Sequence, residues 1–182
     1  MNSENVFPVV ALNIEPVNIL QIEKEIDQFL IKYPFRPTQV CINDRGLKPE
    51  FDPYDGLGTA FDDESKKLKF REMDFVRYAP DLENSELLKS IKKIEALGLK
   101  IGRARIMLLK PRSCYSFHFD ATERIHLVIK PEPRAVMLFT PNIIVNIPYD
   151  QRFHLVDTTR THTAMNGGDK ERVHLVIALA EQ

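Results

Sequence analysis

The chain has 182 residues, 43% of them hydrophobic, and its 25 Lys and Arg nearly balance its 26 Asp and Glu to give a formal net charge of -1. This length supports one sizeable core, so we expect a single domain over residues 1–182. A near-neutral charge gives no overall attraction to nucleic acid or to an anionic membrane. The apolar runs are far shorter than the ~20 residues of a bilayer span, so no transmembrane helix is predicted.

The N-terminal segment and the cysteines bear on the cellular compartment. Residues 1–16 have no basic region and only a short apolar core, so no signal peptide is predicted. Cys41 and Cys114 match no metal or redox spacing, which favours reduced thiols. We therefore expect a cytoplasmic protein with no nucleic-acid or membrane partner. The sequence leaves its oligomeric state open.

Residues 1–100 mix helical and extended patterns and are expected to form a supporting region. The apolar run over residues 6–14 favours a strand. Apolar side chains recur at helical spacing over residues 18–33, and again over residues 85–97, where Gly98 provides a stop. Two N-terminal helices are therefore predicted.

An Asp- and Gly-rich segment separates the two predicted helices. Residues 52–63 read DPYDGLGTAFDD, in which the acidic residues do not alternate as in an EF-hand loop and the GLG triplet is a weak phosphate signal. Two interpretations stay open for it. It is either a solvated loop or a lid that covers a substrate.

Residues 101–182 change to short β-type runs separated by Pro and Gly. The runs are ARIMLLK, CYSFHFD, RIHLVIK, RAVMLFT, IIVNI, RFHLVDT and RVHLVIALA. Their spacing indicates an antiparallel architecture, either a closed barrel or a two-sheet jelly roll. The fold class is therefore mainly β (α+β), with the N-terminal helices packed on one face of the β core.

The histidines supply the main chemical signal, because all five lie in the β-rich half. His118 and Asp120 form an H-x-D pair, and on a strand residues i and i+2 point to the same side about 6 to 7 Å apart. Both side chains can therefore reach one metal. Two imidazoles and one carboxylate are the ligand set of non-haem Fe(II) oxygenases, so a third ligand is required. His162 is the best candidate.

A turn signal relates His162 to a downstream arginine. Asn166 and Gly167 favour a hairpin, and Gly167 is equidistant from His162 and Arg172. Such a hairpin places Arg172 opposite His162, beside the metal. The planar guanidinium group suits bidentate binding of a carboxylate.

Four motifs together resemble a known family. They are H-x-D at His118, R-I-H-L from Arg124, T-x-x-H-T-A-x-N around His162 and R-V-H-L from Arg172. Over residues 106–179 this segment is similar to the aspartyl/asparaginyl β-hydroxylases, which are 2-oxoglutarate oxygenases, and in particular to small bacterial and phage-borne members. Some animal members have glycine at the position of Asp120, and Met107 stands where those members have a serine that contacts the co-substrate.

The resemblance implies a fold, cofactors and roles for particular residues. The fold is a double-stranded β-helix (jelly roll, cupin-like) over residues 101–182. Fe(II) is bound by His118 and His162 together with Asp120. Arg172 pairs with the far carboxylate of 2-oxoglutarate, while Arg124 and His126 flank its metal-binding end. The implied reaction uses O2 to hydroxylate a C–H bond of an amino-acid side chain, in a small molecule, a peptide or a protein.

Other interpretations stay open. The protein could be a cupin-like metal-dependent isomerase or hydrolase that does not use 2-oxoglutarate, or a non-catalytic β-barrel binding module. The two arginines could instead form structural ion pairs, with Glu123, Asp157 and Glu171 as the candidate partners. By residue type, His154 and His174 are expected to be structural residues, and His174 is also able to orient a metal ligand. Ser113 and Tyr115 are candidates for lining the pocket.

Overall fold

A computed structural model describes residues 7–60, 65 and 67–180. Within these residues the chain forms two α-helices, twelve β-strands and two short 3-10 helices. The helices are α1 (Ile19–Lys32) and α2 (Glu86–Glu95), and the 3-10 helices cover Glu72–Asp74 and Pro80–Leu82. The strands are β1 (Val9–Ala11), β2 (Gln39–Cys41), β3 (Asn43–Asp44), β4 (Arg77–Tyr78), β5 (Ile101–Leu109), β6 (Ser113–Cys114), β7 (Arg124–Lys130), β8 (Ala135–Phe139), β9 (Ile143–Val145), β10 (His154–Val156), β11 (His162–Asn166) and β12 (Arg172–Leu179).

The strands form two main antiparallel sheets and a small ribbon. The major sheet has six strands in the order β1-β10-β7-β12-β5-β2, and the minor sheet has four in the order β6-β11-β8-β9. The strands β3 and β4 pair separately. This arrangement confirms the predicted mainly β jelly-roll fold. Two strands of the major sheet, β1 and β2, come from the N-terminal half of the chain.

Both predicted helices are present, and each begins at a side-chain cap. The Asn18 carboxamide oxygen accepts a hydrogen bond from the Gln21 amide at 3.3 Å, and the Ser85 hydroxyl accepts one from the Leu88 amide at 3.0 Å. Their buried faces belong to one core that includes Ile26 of α1 and Ile91 of α2. The same core contains the outward side chains of the major sheet, which confirms that the helices cover one face.

Along the central strands, successive side chains point alternately into the helix-covered core and toward the space between the two sheets. On β7, Ile125 and Leu127 pack in the helix-covered core, whereas Arg124 and His126 point to the opposite side, toward the minor sheet. The strands β5 and β12 repeat this pattern. Both faces of all three strands are thereby buried, and the face between the sheets carries the arginines and histidines.

The predicted hairpin between His162 and Arg172 is wrong. The strand β11 pairs with β8 and β6, with His162 opposite Phe139, whereas β12 pairs with β5 and β7 in the other sheet. After Asn166 the chain therefore crosses from the minor to the major sheet. The cause is burial: the apolar residues of β12 are covered by the helices only at the centre of the major sheet.

Other predicted strands are shorter in the structure than the sequence pattern indicated. The strand expected over residues 6–14 is shorter, and residue 6 lies outside the described residues. Of the run CYSFHFD only Cys114 lies in a strand, Ser113–Cys114, while His118 forms an isolated bridge with His162. Among the described residues no helix is both long and apolar enough to span a lipid bilayer.

Candidate active site

A cavity of about 550 Å³ lies between the two sheets. Among the described residues, its charged and imidazole side chains are four arginines, two carboxylates and three histidines: Arg103, Arg105, Arg124, Arg172, Glu72, Asp120, His118, His126 and His162. All six residues expected to bind metal or co-substrate are therefore brought to one cavity. Glu72, Arg103 and Arg105 were not anticipated from the sequence.

Three of the predicted residues form a compact group of possible metal ligands. One ligand atom from each of His118, Asp120 and His162 lies within 4.8 Å of the others. Reciprocal backbone hydrogen bonds between His118 and His162, of 2.9 and 2.8 Å, fix the two histidines side by side. Asp120 is held by its own amide, which donates to the Thr158 carbonyl oxygen at 2.9 Å.

The hydrogen bonds of the two imidazoles determine which nitrogen faces the cavity. His118 Nδ1 lies 2.8 Å from the Ser116 carbonyl oxygen, and His162 Nδ1 lies 2.9 Å from that of Arg160. A carbonyl oxygen can only accept, so Nδ1 of each ring carries a proton, and Nε2 is the nitrogen left to face the cavity. Burial also lowers the pKa of His162, which favours the neutral form that binds metals.

The Asp120 carboxylate is oriented by Arg124. Arg124 donates from Nε and Nη2 to the two carboxylate oxygens of Asp120, at 3.2 and 3.1 Å. Burial would raise the pKa of Asp120, but the charge and hydrogen bonds of Arg124 outweigh it, so the pKa lies below its usual value. Asp120 is thus ionised and ready to bind a cation.

Arg124 is itself held by a buried carboxylate from the N-terminal half. Its Nη2 lies 3.1 Å from a carboxylate oxygen of Glu72, which also receives two hydrogen bonds from Arg103, at 3.1 and 2.9 Å. Glu72 approaches β5 closely because Gly102 has no side chain; a Cβ atom there would lie 2.8 Å from the Glu72 carbonyl oxygen. None of the three acidic partners considered from the sequence binds Arg124. Its predicted role beside the co-substrate stays a prediction.

Arg172 differs from Arg124 in having no partner of its own. Its side chain is buried, and it makes no hydrogen bond or ion pair with any residue in the described part of the chain. Burial lowers its pKa to about 10, so the guanidinium is still charged at neutral pH. A buried charge without a counter-ion is costly, so an anion bound at this end of the cavity would offset that cost.

His126 interacts electrostatically with Arg172 and with two residues of the triad, His162 and Asp120. Burial, with the nearby charge of Arg172, lowers the pKa of His126 to about 3, so the ring is neutral. Its Nδ1 lies 3.3 Å from Nδ1 of His174, whose pKa burial also holds well below normal. A neutral His126 can therefore exchange hydrogen bonds with a ligand in the cavity without adding charge.

The remaining candidates divide between the cavity and other surroundings. Tyr115 lines the cavity, whereas the Ser113 hydroxyl donates to the Lys110 carbonyl oxygen at 2.7 Å. Met107 also lines it, and a thioether offers little polar contact to a carboxylate. His154 Nε2 lies 3.4 Å from an Asp150 carboxylate oxygen. Within the Asp- and Gly-rich segment, residues 58–60 line the cavity, and residues 61–63 lie outside the described part.

The comparison with protein families decides the classification. The family model described as aspartyl/asparaginyl beta-hydroxylase matches residues 71–181, more than half of the chain. The chain belongs to this family. Its matched region begins just before Glu72 and includes the triad, Arg124 and Arg172. A search of curated proteins finds no match.

Solved structures share the fold of this aspartyl/asparaginyl β-hydroxylase family member at low sequence identity. A viral collagen prolyl hydroxylase from Paramecium bursaria Chlorella virus-1 is 11% identical with a TM-score of 0.56, covering 97% of this chain and 91% of that one. A 2OG-Fe(II) oxygenase family oxidoreductase from Burkholderia pseudomallei is 12% identical with a TM-score of 0.55, covering 95% and 84%. At these identities the likeness establishes the fold, while family membership identifies an oxygenase of the general 2-oxoglutarate- and Fe(II)-dependent class.

Proposed function

We propose that the protein is an Fe(II)- and 2-oxoglutarate-dependent dioxygenase that hydroxylates a C–H bond of an amino-acid side chain, free or within a peptide or protein. His118, Asp120 and His162 would bind Fe(II). Arg172 would bind the far carboxylate of 2-oxoglutarate, with Arg124 and His126 near its other end. Family membership and the chemistry of the cavity lining support this assignment.

The donor set fits Fe(II) on three counts. Two imidazoles and one ionised carboxylate lie close enough to share one ion. Both histidines have Nδ1 engaged by a carbonyl oxygen, which leaves Nε2 for the metal. Three protein ligands leave the other positions of an octahedral ion for co-substrate and O2. The ion with 2-oxoglutarate and O2 supplies the oxidation, in which substrate, 2-oxoglutarate and O2 give hydroxylated substrate, succinate and CO2.

The observation that carries the proposal is the buried guanidinium of Arg172, which makes no hydrogen bond or ion pair with the described residues. A cupin-like enzyme that acts only on uncharged molecules would leave this charge without a counter-ion, whereas a dicarboxylate would neutralise it. The planar group can donate two parallel hydrogen bonds to one carboxylate. Two charge-assisted bonds contribute roughly 3 kcal/mol or more together.

The rest of the lining would orient the co-substrate and limit the access of water. Met107, Met137 and Val176 give an apolar surface beside Arg172 and His126. Arg124 holds the Asp120 carboxylate in one orientation and keeps it ionised. These residues would act by binding and positioning, since the oxidising chemistry belongs to the cofactor.

The test is an anaerobic titration of Fe(II)-loaded protein with 2-oxoglutarate, followed by the visible charge-transfer band. We expect a saturable band in the wild type. Arg172→Met should weaken 2-oxoglutarate binding at least about 100-fold and leave Fe(II) affinity intact, because the arginine does not contact the triad. His162→Ala should lose Fe(II) binding itself.

Two outcomes would count against the assignment. An iron-loaded wild type that gives no band at any 2-oxoglutarate concentration would favour the cupin-like alternative. A band unaffected by Arg172→Met would mean that the co-substrate is bound elsewhere in the cavity. Arg112→Met serves as a matched control, since this arginine is exposed and pairs with Asp169 at the surface.

A further inference from the structure

We propose that His174 is a positioning residue: its Nδ1–H donates to Nδ1 of His126 and so holds His126 in the tautomer that presents an Nε2–H to the cavity. This inference rests on the proposed function, because it assigns that N–H to a carboxylate of the co-substrate. His174 itself lies outside the metal triad and outside the predicted co-substrate contacts.

His126 and His174 are neighbours on the face of the major sheet that is turned toward the minor sheet. On the paired strands β7 and β12, Val176 is opposite His126 and lies two residues after His174. The two histidines are therefore a diagonal pair on one face. Their Nδ1 atoms are 3.3 Å apart, and their ring planes are nearly perpendicular, at 88°. Both residues are buried, so strand pairing and packing hold the two rings in this relation.

A hydrogen bond between two Nδ1 atoms needs a proton on one of them only. Burial and the charge of Arg172 lower the pKa of His126 to about 3, and the same two causes hold the pKa of His174 well below normal. Both rings are therefore neutral at neutral pH, and each carries one N–H. The donor ring has its proton on Nδ1 and a lone pair on Nε2, whereas the acceptor ring has its proton on Nε2. The two arrangements give His126 opposite roles toward the cavity.

The ligand proposed for the cavity selects between these arrangements. Nδ1 of His126 is engaged by His174, so Nε2 is the nitrogen left for the cavity that this residue lines. The carboxylates of 2-oxoglutarate can only accept hydrogen bonds. If His126 were the donor to His174, its Nε2 lone pair would face those oxygens and repel them. If His174 is the donor, His126 offers an N–H to the carboxylate.

The surroundings of His174 allow it to be the donor. As donor it keeps a lone pair on Nε2, and the residue lines a second cavity, of about 160 Å³, beside Pro131 and Tyr149. This volume has room for water, which can donate to Nε2. Arg172 lines the same cavity, and its positive charge opposes a second proton on the ring. His174 can therefore satisfy both of its nitrogens while it donates to His126.

Another buried histidine on this face, His154, is not hydrogen-bonded to the pair. It is opposite His126 on the neighbouring strand β10, and its Nε2 lies 3.4 Å from an Asp150 carboxylate oxygen. Its Nδ1 makes no hydrogen bond with any described residue. Replacing His154 deletes a buried imidazole next to His126 without touching the proposed bond, which makes His154→Leu a matched control.

The first measurement is the tautomer of His126, by NMR of the ring nitrogens in metal-free protein with isotope-labelled histidine. Protonated and unprotonated ring nitrogens resonate far apart, and His126→Gln identifies the signals of this ring. We expect His126 to carry its proton on Nε2 in the wild type and in His154→Leu. In His174→Leu the Nδ1 donor is gone, so the Nδ1–H tautomer of His126 should become populated.

The second measurement is the affinity of Mn(II)-loaded full-length protein for 2-oxoglutarate. His174→Leu should weaken it about 10- to 100-fold, the value of one hydrogen bond to a charged group, and leave Mn(II) affinity unchanged. An Asn side chain can donate from Nδ2, close to the place of the imidazole Nδ1, so His174→Asn should restore most of the affinity. His174→Gln, whose amide lies one methylene further out, should not, and it replaces His174→Leu if that variant does not fold.

Three results would overturn the inference. They are an Nδ1–H tautomer of His126 in the wild type, a wild-type tautomer and affinity in His174→Leu and His174→Gln, or an equal loss of affinity in His154→Leu, which would indicate packing alone. A failure of the proposed function is distinguishable, because 2-oxoglutarate would then not bind the wild type. The spectrum of the metal-free protein would still show whether His174 donates to His126.

Discussion

Two roles are expected for Arg124: it orients Asp120, and it contacts the co-substrate. Replacing Arg124 distinguishes between them. In the structure it binds Asp120 through two hydrogen bonds and Glu72 through an ion pair of 3.1 Å. The family resemblance places it beside the co-substrate. Arg124→Gln removes the positive charge and keeps a polar side chain, so each role makes its own prediction.

The structure predicts a large loss of stability in the metal-free protein. Breaking a buried ion pair by removing one partner costs about 3 to 5 kcal/mol. Glu72 keeps its two hydrogen bonds from Arg103, so we expect the lower end of that range. In a protein of this size, about 3 kcal/mol corresponds to a fall of roughly 6 to 12 °C in melting temperature. Urea unfolding measures the free energy directly.

The same substitution should also weaken metal binding. Groups that orient a metal ligand typically change metal affinity by about 10- to 100-fold, and Arg124 orients Asp120. Calorimetric titration with Mn(II) measures this in the wild type and in Arg124→Gln, with Arg112→Gln as the exposed control. A variant with wild-type stability and Mn(II) affinity but weakened 2-oxoglutarate binding would refute the positioning role and favour direct contact with the co-substrate.

Two further predictions concern acid stability and close packing. Because the folded pKa of His126 is about 3, the unfolded chain binds the extra proton below pH 6.5. Stability should therefore fall on acidification from pH 6.5 toward 3, and His126→Gln should remove up to about 1.4 kcal/mol per pH unit of that slope in urea titrations. Gly102→Ala forces a methyl group against the Glu72 backbone and should lower the free energy of unfolding by about 1 to 3 kcal/mol. Gly167→Ala is the control: a Cβ there would lie 3.6 Å from the Arg134 carbonyl oxygen, so this variant should unfold at nearly the wild-type urea concentration. Equal urea midpoints for the two variants would contradict the prediction.

Much of the fold and of the candidate site could be predicted from the alternation of polar and apolar residues in the central strands. In RIHLVIK and RVHLVIALA, polar residues alternate with apolar ones, and the structure places Arg124, His126 and Arg172 on the cavity side as that period requires. The H-x-D spacing likewise indicated that His118 and Asp120 reach one point. These signals are local, so they do not depend on how the strands are paired.

Pairing between distant segments could not be derived in the same way. The Asn166 and Gly167 turn signal is local, but the partner of β12 is decided by which sheet the helices cover. Glu72 could not be identified because its role depends on a contact with β7, some fifty residues away. A signal for Arg105 was present, since Arg103 and Arg105 alternate on β5 as the residues of β7 do, and it was not used.

The contact of Glu72 with two arginines limits how this architecture can be modified. The double-stranded β-helix looks like a separable module, yet two of its buried cations are neutralised by a carboxylate from the segment that precedes it. An exchange of N-terminal segments between relatives would therefore have to bring an acidic residue to this place. Without one, two buried arginines would lose their counter-ion and the Asp120 carboxylate its fixed orientation.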